Sequence, residues 1–528
     1  MNKLYFCLLL LAFTSCKKEE TPLTKKGIKT PPIILTDERK VAIDTALINS
    51  FKSETLPLFY ASSENKTVWG NIKKRAFVLS QLKNCPELGL NPDDYKTPLL
   101  TKYESKISSL NDKELAKYDV MLTYNFEKYL THLYKGKLNP KLLYKDWALE
   151  EKSFDINTVL IKGFNRNSLD SVVESIQSKA VTYQQLLKSL KLINEFPDDD
   201  VKKIEASEKI MVNDTNLALI NIKKRLLYWK DMTGPKDSLT QIYDSKTLES
   251  VKKFQSRHGL AADGVIGAGT LNALNFTKEQ RKKQIIANLE RWRWYSNEFS
   301  KDYFIVNIPN YSLNVVENRD TTVVRNIVVG TNKRKTPILT SRLKTVVFNP
   351  TWTVPPTILK EDVVPAMMRN RNYLAHKNIT IYNSAGNVVD PNDWNPKKPN
   401  SYRYVQSPGY NNSLGLMKIL FPNNYSVYLH DTNHRDYFGR NNRSLSSGCV
   451  RVENPLALAQ HILNDSLNSW PKRKIDSIIT TKKTVNVKIV KKYKLYQWYW
   501  TAWSEKNKLI FRNDIYNLDA DLYDKLRN

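Results

Sequence analysis

The apolar residues change period near residue 300, and one architecture cannot satisfy both periods. From about 36 to 210 they recur every three or four positions, as in Leu122, Phe126, Leu130 and Leu133, which predicts helices with a single apolar stripe. Beyond 300 they alternate or cluster in short runs such as Tyr303-Phe304-Ile305-Val306-Asn307-Ile308, Asn326-Ile327-Val328-Val329-Gly330 and Thr345-Val346-Val347-Phe348-Asn349. Gly, Pro and Asn separate these runs, the pattern of strands. Two later runs, 484–490 and 509–512, suggest a sheet that finishes near the C-terminus. A Pro-, Met- and Asn-rich stretch at 355–405 interrupts the strands and is long enough to be a lid. The chain is therefore expected to be multi-domain. An all-α N-terminal scaffold spans 36–210, a small three-helix unit spans 215–278, and a mostly-β domain with a capping insertion spans 285–528.

The small unit has amphipathic helices at 220–229 and 248–254 and a short one at 271–274. Between them lie Phe254-Gln255, Gly259-Leu260 and Asp263-Gly264-Val265-Ile266-Gly267, with Thr270 opening the last helix. The glycines supply turns that need a permissive backbone.

The start of the chain reads as an export signal. Lys3 precedes a mostly apolar run, 4–14, which is too short to span a bilayer. Ser15 and Cys16 follow, then Lys17-Lys18-Glu19-Glu20, and the segment 16–35 has the composition of a tether. Once the segment 1–15 leaves, Cys16, Cys85 and Cys449 remain, too few for a disulfide framework. Cys85 precedes Pro86 at a helix end and reads as an inert buried thiol; His132 reads as structural.

Cys449 differs. The segment Val427-Tyr428-Leu429-His430-Asp431-Thr432 ends a strand, a Gly-, Asn- and Arg-rich loop follows, and Ser446-Ser447-Gly448-Cys449-Val450-Arg451 leads into a helix near Leu456. Gly448 lets the backbone approach a substrate closely. Arg451 and nearby N–H groups are expected to favour the thiolate and a developing oxyanion. His430, 19 positions earlier, can take the thiol proton. In papain-like endopeptidases the Cys comes before the His, so the order here argues against them. His430 and His434 stand four apart but run from a strand end into a loop and not along a helix, so neither a metal nor another cofactor is expected. The charge of +29, from 82 Lys and Arg against 53 Asp and Glu, suits polyanionic surroundings. Without a helix-turn-helix, zinc-finger or RRM signature, nucleic acid is not an expected partner.

Three resemblances sharpen this reading. Ser15-Cys16 resembles a bacterial lipoprotein cleavage site, with Phe13 where Leu is usual, which implies a lipid on Cys16 and attachment to a membrane. The small unit resembles the peptidoglycan-binding repeat. The His, long loop and Ser-x-Gly-Cys-Val-Arg motif is similar to that of the L,D-transpeptidases. Asn288-Leu289-Glu290-Arg291-Trp292-Arg293-Trp294, Val306-Asn307-Ile308-Pro309, Lys335-Thr336-Pro337, Asn349-Pro350-Thr351-Trp352 and Asn412-Ser413-Leu414-Gly415 resemble the large, multi-domain branch of that family. The resemblance implies that Cys449 attacks the third residue of a tetrapeptide stem, expels D-Ala, and passes the acyl group to a neighbouring stem as a 3→3 crosslink. It implies that His430 is base and then acid, that the Asp431 carbonyl orients the imidazole, and that Gly448 and Cys449 N–H groups receive the oxyanion. Arg451 holds the loop or a substrate carboxylate. Ser447 stands where many members have a second His, so proton transfer rests on His430 alone. Tyr428 and Trp352 read as core or pocket wall and His434 as a solvated or rim residue. Peptidoglycan stems are the expected donor and acceptor, a carboxypeptidase supplying tetrapeptides is an expected partner, and the expected location is the cell envelope. Two alternatives stay open: a lipid-anchored tether without catalysis, and an L,D-carboxypeptidase in which water resolves the thioester.

Overall fold

The computed structural model describes residues 33, 39–150, 152–200, 202–235, 239–295, 299–464 and 469–528. The expected signal segment, Cys16 and most of the tether lie outside the described residues. Among the described residues no helix is long and apolar enough to cross a membrane.

The chain divides into two units. The first comprises Met1–Cys85, Asn91–Tyr134 and Ser153–Gln177, and its described residues are mostly helical. Its axis is the helix Asp112–Lys135, with Asp112 and Glu114 in the first turn, where they complement the helix dipole. Val120, Leu122, Phe126 and Leu130 on this helix are fully buried. Asp119 is buried among them and accepts from Tyr60 Oη at 2.7 Å and from the Val68 and Trp69 N–H groups at 2.9 Å. One turn pair further on, Glu127 accepts from Thr55 Oγ1 at 2.8 Å. Burial pushes Asp119 up to about 7 and Glu127 up to about 8, from ordinary values of 3.8 and 4.5. His132 bonds Tyr95 Oη at 2.9 Å, and Cys85 is fully buried.

These carboxyls make the unit's stability depend on pH. Their folded pKa values exceed the unfolded ones, so the folded unit retains protons that the unfolded chain has released. Their contribution is most favourable in mild acid, declines as pH rises from about 4, and levels off above about 8. Urea midpoints measured from pH 4 to 9 should therefore fall across that window, less steeply in Asp119→Asn. An unchanged slope in that variant would remove Asp119 from the account.

The second unit comprises Pro86–Leu90, Lys135–Lys152 and Ser178–Asn528. The helical region expected to run unbroken to about 210 is thus divided. The helix Val181–Asn194 buries Tyr183, Leu186, Leu190 and Ile193 in the second unit's core, and the Gln185 carbonyl accepts from Ser504 Oγ at 2.9 Å. Within this unit, Ala218–Tyr228, Ser245–Arg257 and Ala268–Leu274 form the three-helix module. Gln255 pins it: Nε2 donates to Asp263 Oδ1, the Val265 carbonyl and Thr270 Oγ1, and Oε1 accepts from Gly264 N–H. Gly264 has φ +79, and a Cβ there would lie 2.2 Å from Leu248 Cδ1. The helix Lys278–Trp294 follows, opened by a Thr277/Gln280 capping box. It is buried from Gln284 to Trp294, and Arg291 pairs with Asp519 at 2.5 Å.

A 12-stranded mixed sheet fills the rest of the unit. From one edge its order is Trp147–Ala148, Ile338–Arg342, Lys494–Trp498, Asp302–Asn307, Ser312–Glu317, Asp320–Gly330, Val450–Val452, Leu429–His430, Met417–Leu420, Thr345–Phe348 and Val485–Lys488, with Ser444–Ser446 beside Asp320–Gly330. The expected finish of the sheet at 509–512 is corrected. Among the described residues Lys508–Phe511 pairs only with Ala502–Glu505, in a separate hairpin, and the helix Asp519–Arg527 follows. The capping insertion is more than a loop. Short helices and a four-stranded sheet enclose a core of their own, including Val363, Met367, Leu374, Ile381, Trp394 and Tyr404. Its elements are two to six residues long, too short for a period to emerge from sequence.

Candidate active site

Strand pairing assembles the site. Leu429–His430 lies parallel to Val450–Val452, with Leu429 opposite Val450 and His430 opposite Arg451. On its other side it runs antiparallel to Met417–Leu420, with His430 opposite Lys418. His430 therefore has a cation on each flank. By the same register Tyr428 lies beside Cys449, and the Val450 N–H donates to the Tyr428 carbonyl at 3.2 Å. Cys449, His430, Gly448, Ser447 and Arg451 line one cavity of about 450 Å³, together with Tyr428, Trp352 and residues of the capping insertion. Asp431 and His434 are not among the lining residues.

The loop before Cys449 is fixed by close backbone approach. Gly448 has φ +113, and a Cβ there would meet the Lys335 carbonyl at 3.3 Å. Its carbonyl accepts from Thr336 Oγ1 at 2.9 Å, and the same hydroxyl accepts from Gly330 N–H at 2.8 Å. Thr336 N–H donates to Tyr516 Oη at 3.0 Å, and that hydroxyl donates to the Gly330 carbonyl at 2.9 Å. The Ser446 hydroxyl donates to the Cys449 carbonyl at 2.6 Å and accepts from Gly448 N–H at 3.2 Å. The Gly448 N–H is thus already engaged, which corrects the expectation that it receives an oxyanion. Ser447 Oγ accepts from Arg334 Nη1 at 2.8 Å.

Asp431 supports the site from behind. Its carboxylate accepts from Leu416 N–H at 2.8 Å and from Arg435 at 2.5 Å. A Cβ on Gly415 would collide with it at 2.2 Å, so Gly415 makes room for this buried acid. The Asp431 backbone favours a protonated His430 ring, yet Nδ1 makes no hydrogen bond of normal geometry. His434 stacks on Tyr437 with centroids 4.9 Å apart.

Burial decides the charge state. It pushes the Cys449 thiol up to about 11, against the lowering influence of Tyr428, Arg451 and Lys418. Burial, with Arg451 and Lys418 adding repulsion, pushes His430 down to about 3. The expected thiolate is therefore corrected: the resting pair is a neutral thiol beside a neutral imidazole, because desolvation outweighs the nearby cations. Arg451 itself is largely buried, with Nε and Nη1 making no hydrogen bond. Its neighbour Lys418 is lowered by the same burial.

A pH profile follows. Iodoacetamide should alkylate Cys449 slowly at pH 7, faster with each unit of pH, and level off only near about 11. A plateau already present at pH 7 would mean a preformed ion pair. Turnover should likewise keep its base through mild acid, since His430 stays neutral down to about 3. The loss in acid expected from an ordinary imidazole moves below that range.

Lys418 and Arg334 carried no sequence signal that tied them to the site, and Thr336 was visible only as part of the segment Lys335-Thr336-Pro337. Lys418 arrives by strand register, Thr336 by one hydroxyl, and Arg334 by a contact across the loop.

Residues 301–489 match the family model of the L,D-transpeptidase catalytic domain, residues 216–274 that of a "Putative peptidoglycan binding domain", and residues 54–190 that of a scaffold domain. A "Putative L,D-transpeptidase" of Haemophilus influenzae is 38% identical over 222 residues, 41% of this chain and 44% of that protein. The chain thus spans less than half the length of this curated relative. An L,D-transpeptidase from Xylanimonas cellulosilytica is similar at 15% identity over 56% of this chain and 99% of its own, with a TM-score of 0.18. The Ldtfm-avibactam carbamoyl enzyme is similar at 11% identity over 42% of this chain and 61% of its own, with a TM-score of 0.19. Both TM-scores are too low to bear on the fold. Residues 301–489 are an L,D-transpeptidase catalytic domain, carried in one chain with a peptidoglycan-binding domain and a scaffold domain.

Proposed function

We propose that this protein joins peptidoglycan stems by 3→3 crosslinks, with Cys449 as nucleophile and His430 as base and acid. The observation that carries the reading is the meeting of His430 and Cys449, from adjacent parallel strands, in one cavity walled by cations and capped by an insertion. The thiol adds to the carbonyl carbon of the third stem residue as its proton passes to His430. The Cys449 N–H receives the oxyanion, since the Gly448 N–H is bound to Ser446. Collapse breaks the C–N bond, and the D-Ala amine leaves with the proton that His430 held. The side-chain amine of a neighbouring stem then attacks the thioester, gives a proton to His430, and the sulfur recovers it as the thioester breaks.

The peptidoglycan-acting domains belong to the cell envelope. The anchor is a lipid on Cys16, and a carboxypeptidase supplies the tetrapeptides. Metabolic labelling with a radioactive fatty acid tests the anchor; label that persists in Cys16→Ala would refute it. The central test is product analysis with purified disaccharide-tetrapeptides. Dimers made by the wild type and absent from Cys449→Ala are expected. Tripeptide monomers without dimers would make the protein an L,D-carboxypeptidase, and binding without turnover would make it a tether.

A further inference from the structure

Lys333, Arg334, Lys335 and Arg451 line the Cys449 cavity, and Asp146 is the one carboxylate among the lining residues. Such a cavity attracts anions. Arg334 differs from the other three in how it is held. Its Nε and Nη2 donate to Glu361 Oε2 at 3.0 and 2.5 Å, and its Nη1 donates to Asp362 Oδ2 at 2.8 Å. The same Nη1 donates to Ser447 Oγ at 2.8 Å. Glu361 and Asp362 belong to the π-helical turn Leu359–Val363, at the entry to the capping insertion. Ser447 lies two positions before Cys449. A single guanidinium therefore ties the capping insertion to the loop that carries the thiol.

The tie suits exchange. Glu361 and Asp362 are about half exposed, at 52% and 48%, while Arg334 is 21% exposed. Water screens such acids, so they hold a guanidinium weakly. A π turn inside a helix is an uncommon, adjustable piece of backbone and often marks a functional place. The planar fork of Arg334 fits any carboxylate in the same way that it fits these two. Glu361 and Asp362 thus stand where an incoming carboxylate would bind.

We propose that Arg334 binds a carboxylate of the stem peptide, and that Glu361 and Asp362 occupy its guanidinium until that carboxylate displaces them and frees the capping insertion. The inference rests on the transpeptidase reading, which makes the substrate a peptide with carboxylates close to the scissile bond. Two sources share this chemistry: the terminal carboxylate of the leaving D-Ala, and the side-chain carboxylate of the third residue. Arg451 remains available to the other.

The test measures donor binding by calorimetry in full-length Cys449→Ala and donor KM in the active enzyme. Variants are Arg334→Gln, Arg334→Lys and the double substitution Glu361→Gln/Asp362→Asn. The double variant should bind the tetrapeptide roughly 3- to 10-fold tighter, because its competitor for Arg334 is gone. Arg334→Gln should bind it roughly 10- to 100-fold more weakly, and Arg334→Lys should recover only part of the loss. Donors amidated at the terminal or at the side-chain carboxyl identify the source. The amidation that removes the partner of Arg334 weakens binding to the wild-type site and leaves Arg334→Gln unaffected.

Equal losses on both amidated donors, with or without Arg334, would overturn the proposal. So would unchanged or weaker binding in the double variant, which decides the matter even if Arg334→Gln fails to fold. Absence of Cys449-dependent products would instead strike the transpeptidase reading, while the binding measurements would still report on Arg334.

Discussion

Cys449→Ala should abolish crosslinking and His430→Ala should slow acylation by roughly 10⁴-fold, with the double variant no slower than the worse single one. The size for His430 comes from the state of the thiol. With Cys449 at about 11, only about one thiol in 10⁴ is ionised at pH 7. Without a base, attack depends on that fraction; with His430 neutral beside it, proton transfer accompanies attack and the whole population can react. The two residues act as a unit, so their losses should not add. Single-turnover acylation followed by intact mass measures this directly. The His430→Ala deficit should shrink about tenfold for each unit of pH above 7, as the thiol ionises on its own. A deficit independent of pH would show that His430 positions the thiol and takes no proton from it.

Gly330→Ala should cost roughly 100-fold in kcat/KM although Gly330 lines no part of the cavity. A Cβ there would lie 2.1 Å from the Arg334 carbonyl and 2.7 Å from Thr336 N, both backbone atoms. The loop 331–336 must therefore move as a whole. That loop carries Thr336, whose hydroxyl joins the Gly330 N–H to the Gly448 carbonyl. It also carries the Lys335 carbonyl against which Gly448 packs. The displacement reaches Gly448 and Cys449, and a shift of about 1 Å at a reacting atom suffices for such a loss. Stability should fall by about 1–3 kcal/mol, as for other overpacked sites. Gly439→Ala is the control, since nothing lies within 4 Å of a Cβ at that position. Wild-type kcat/KM in Gly330→Ala would mean that the loop yields without moving the nucleophile.

What was legible in the sequence was what the chain writes in contiguous residues. The helical period around Leu122 to Leu133 and the alternating runs after 300 announce their elements because one buried face must repeat at the period of its own backbone. Gly448, Cys449 and Arg451 form one short segment that a motif can hold, and His430 ends a strand of the same sheet. Gln255 was visible as part of a motif, but the four hydrogen bonds by which it pins residues 263–265 and Thr270 were not.

The classes of domain, their order, and the candidate nucleophile and base could be read from the residues alone, since period and short motifs are local properties. That residues 147–148 join the large sheet as an edge strand, that 181–194 packs in the second unit, and that 508–511 lies in a hairpin apart from the sheet became evident only in the folded chain. Partners far apart in the chain set each of these, and no local pattern encodes them. The tertiary structure also decided the protonation of the site. Flanking Arg451 suggested a thiolate, but the charge of a buried group follows the water it has lost as well as the cations beside it. That loss exists only once Tyr428, Trp352 and the capping insertion have closed around Cys449.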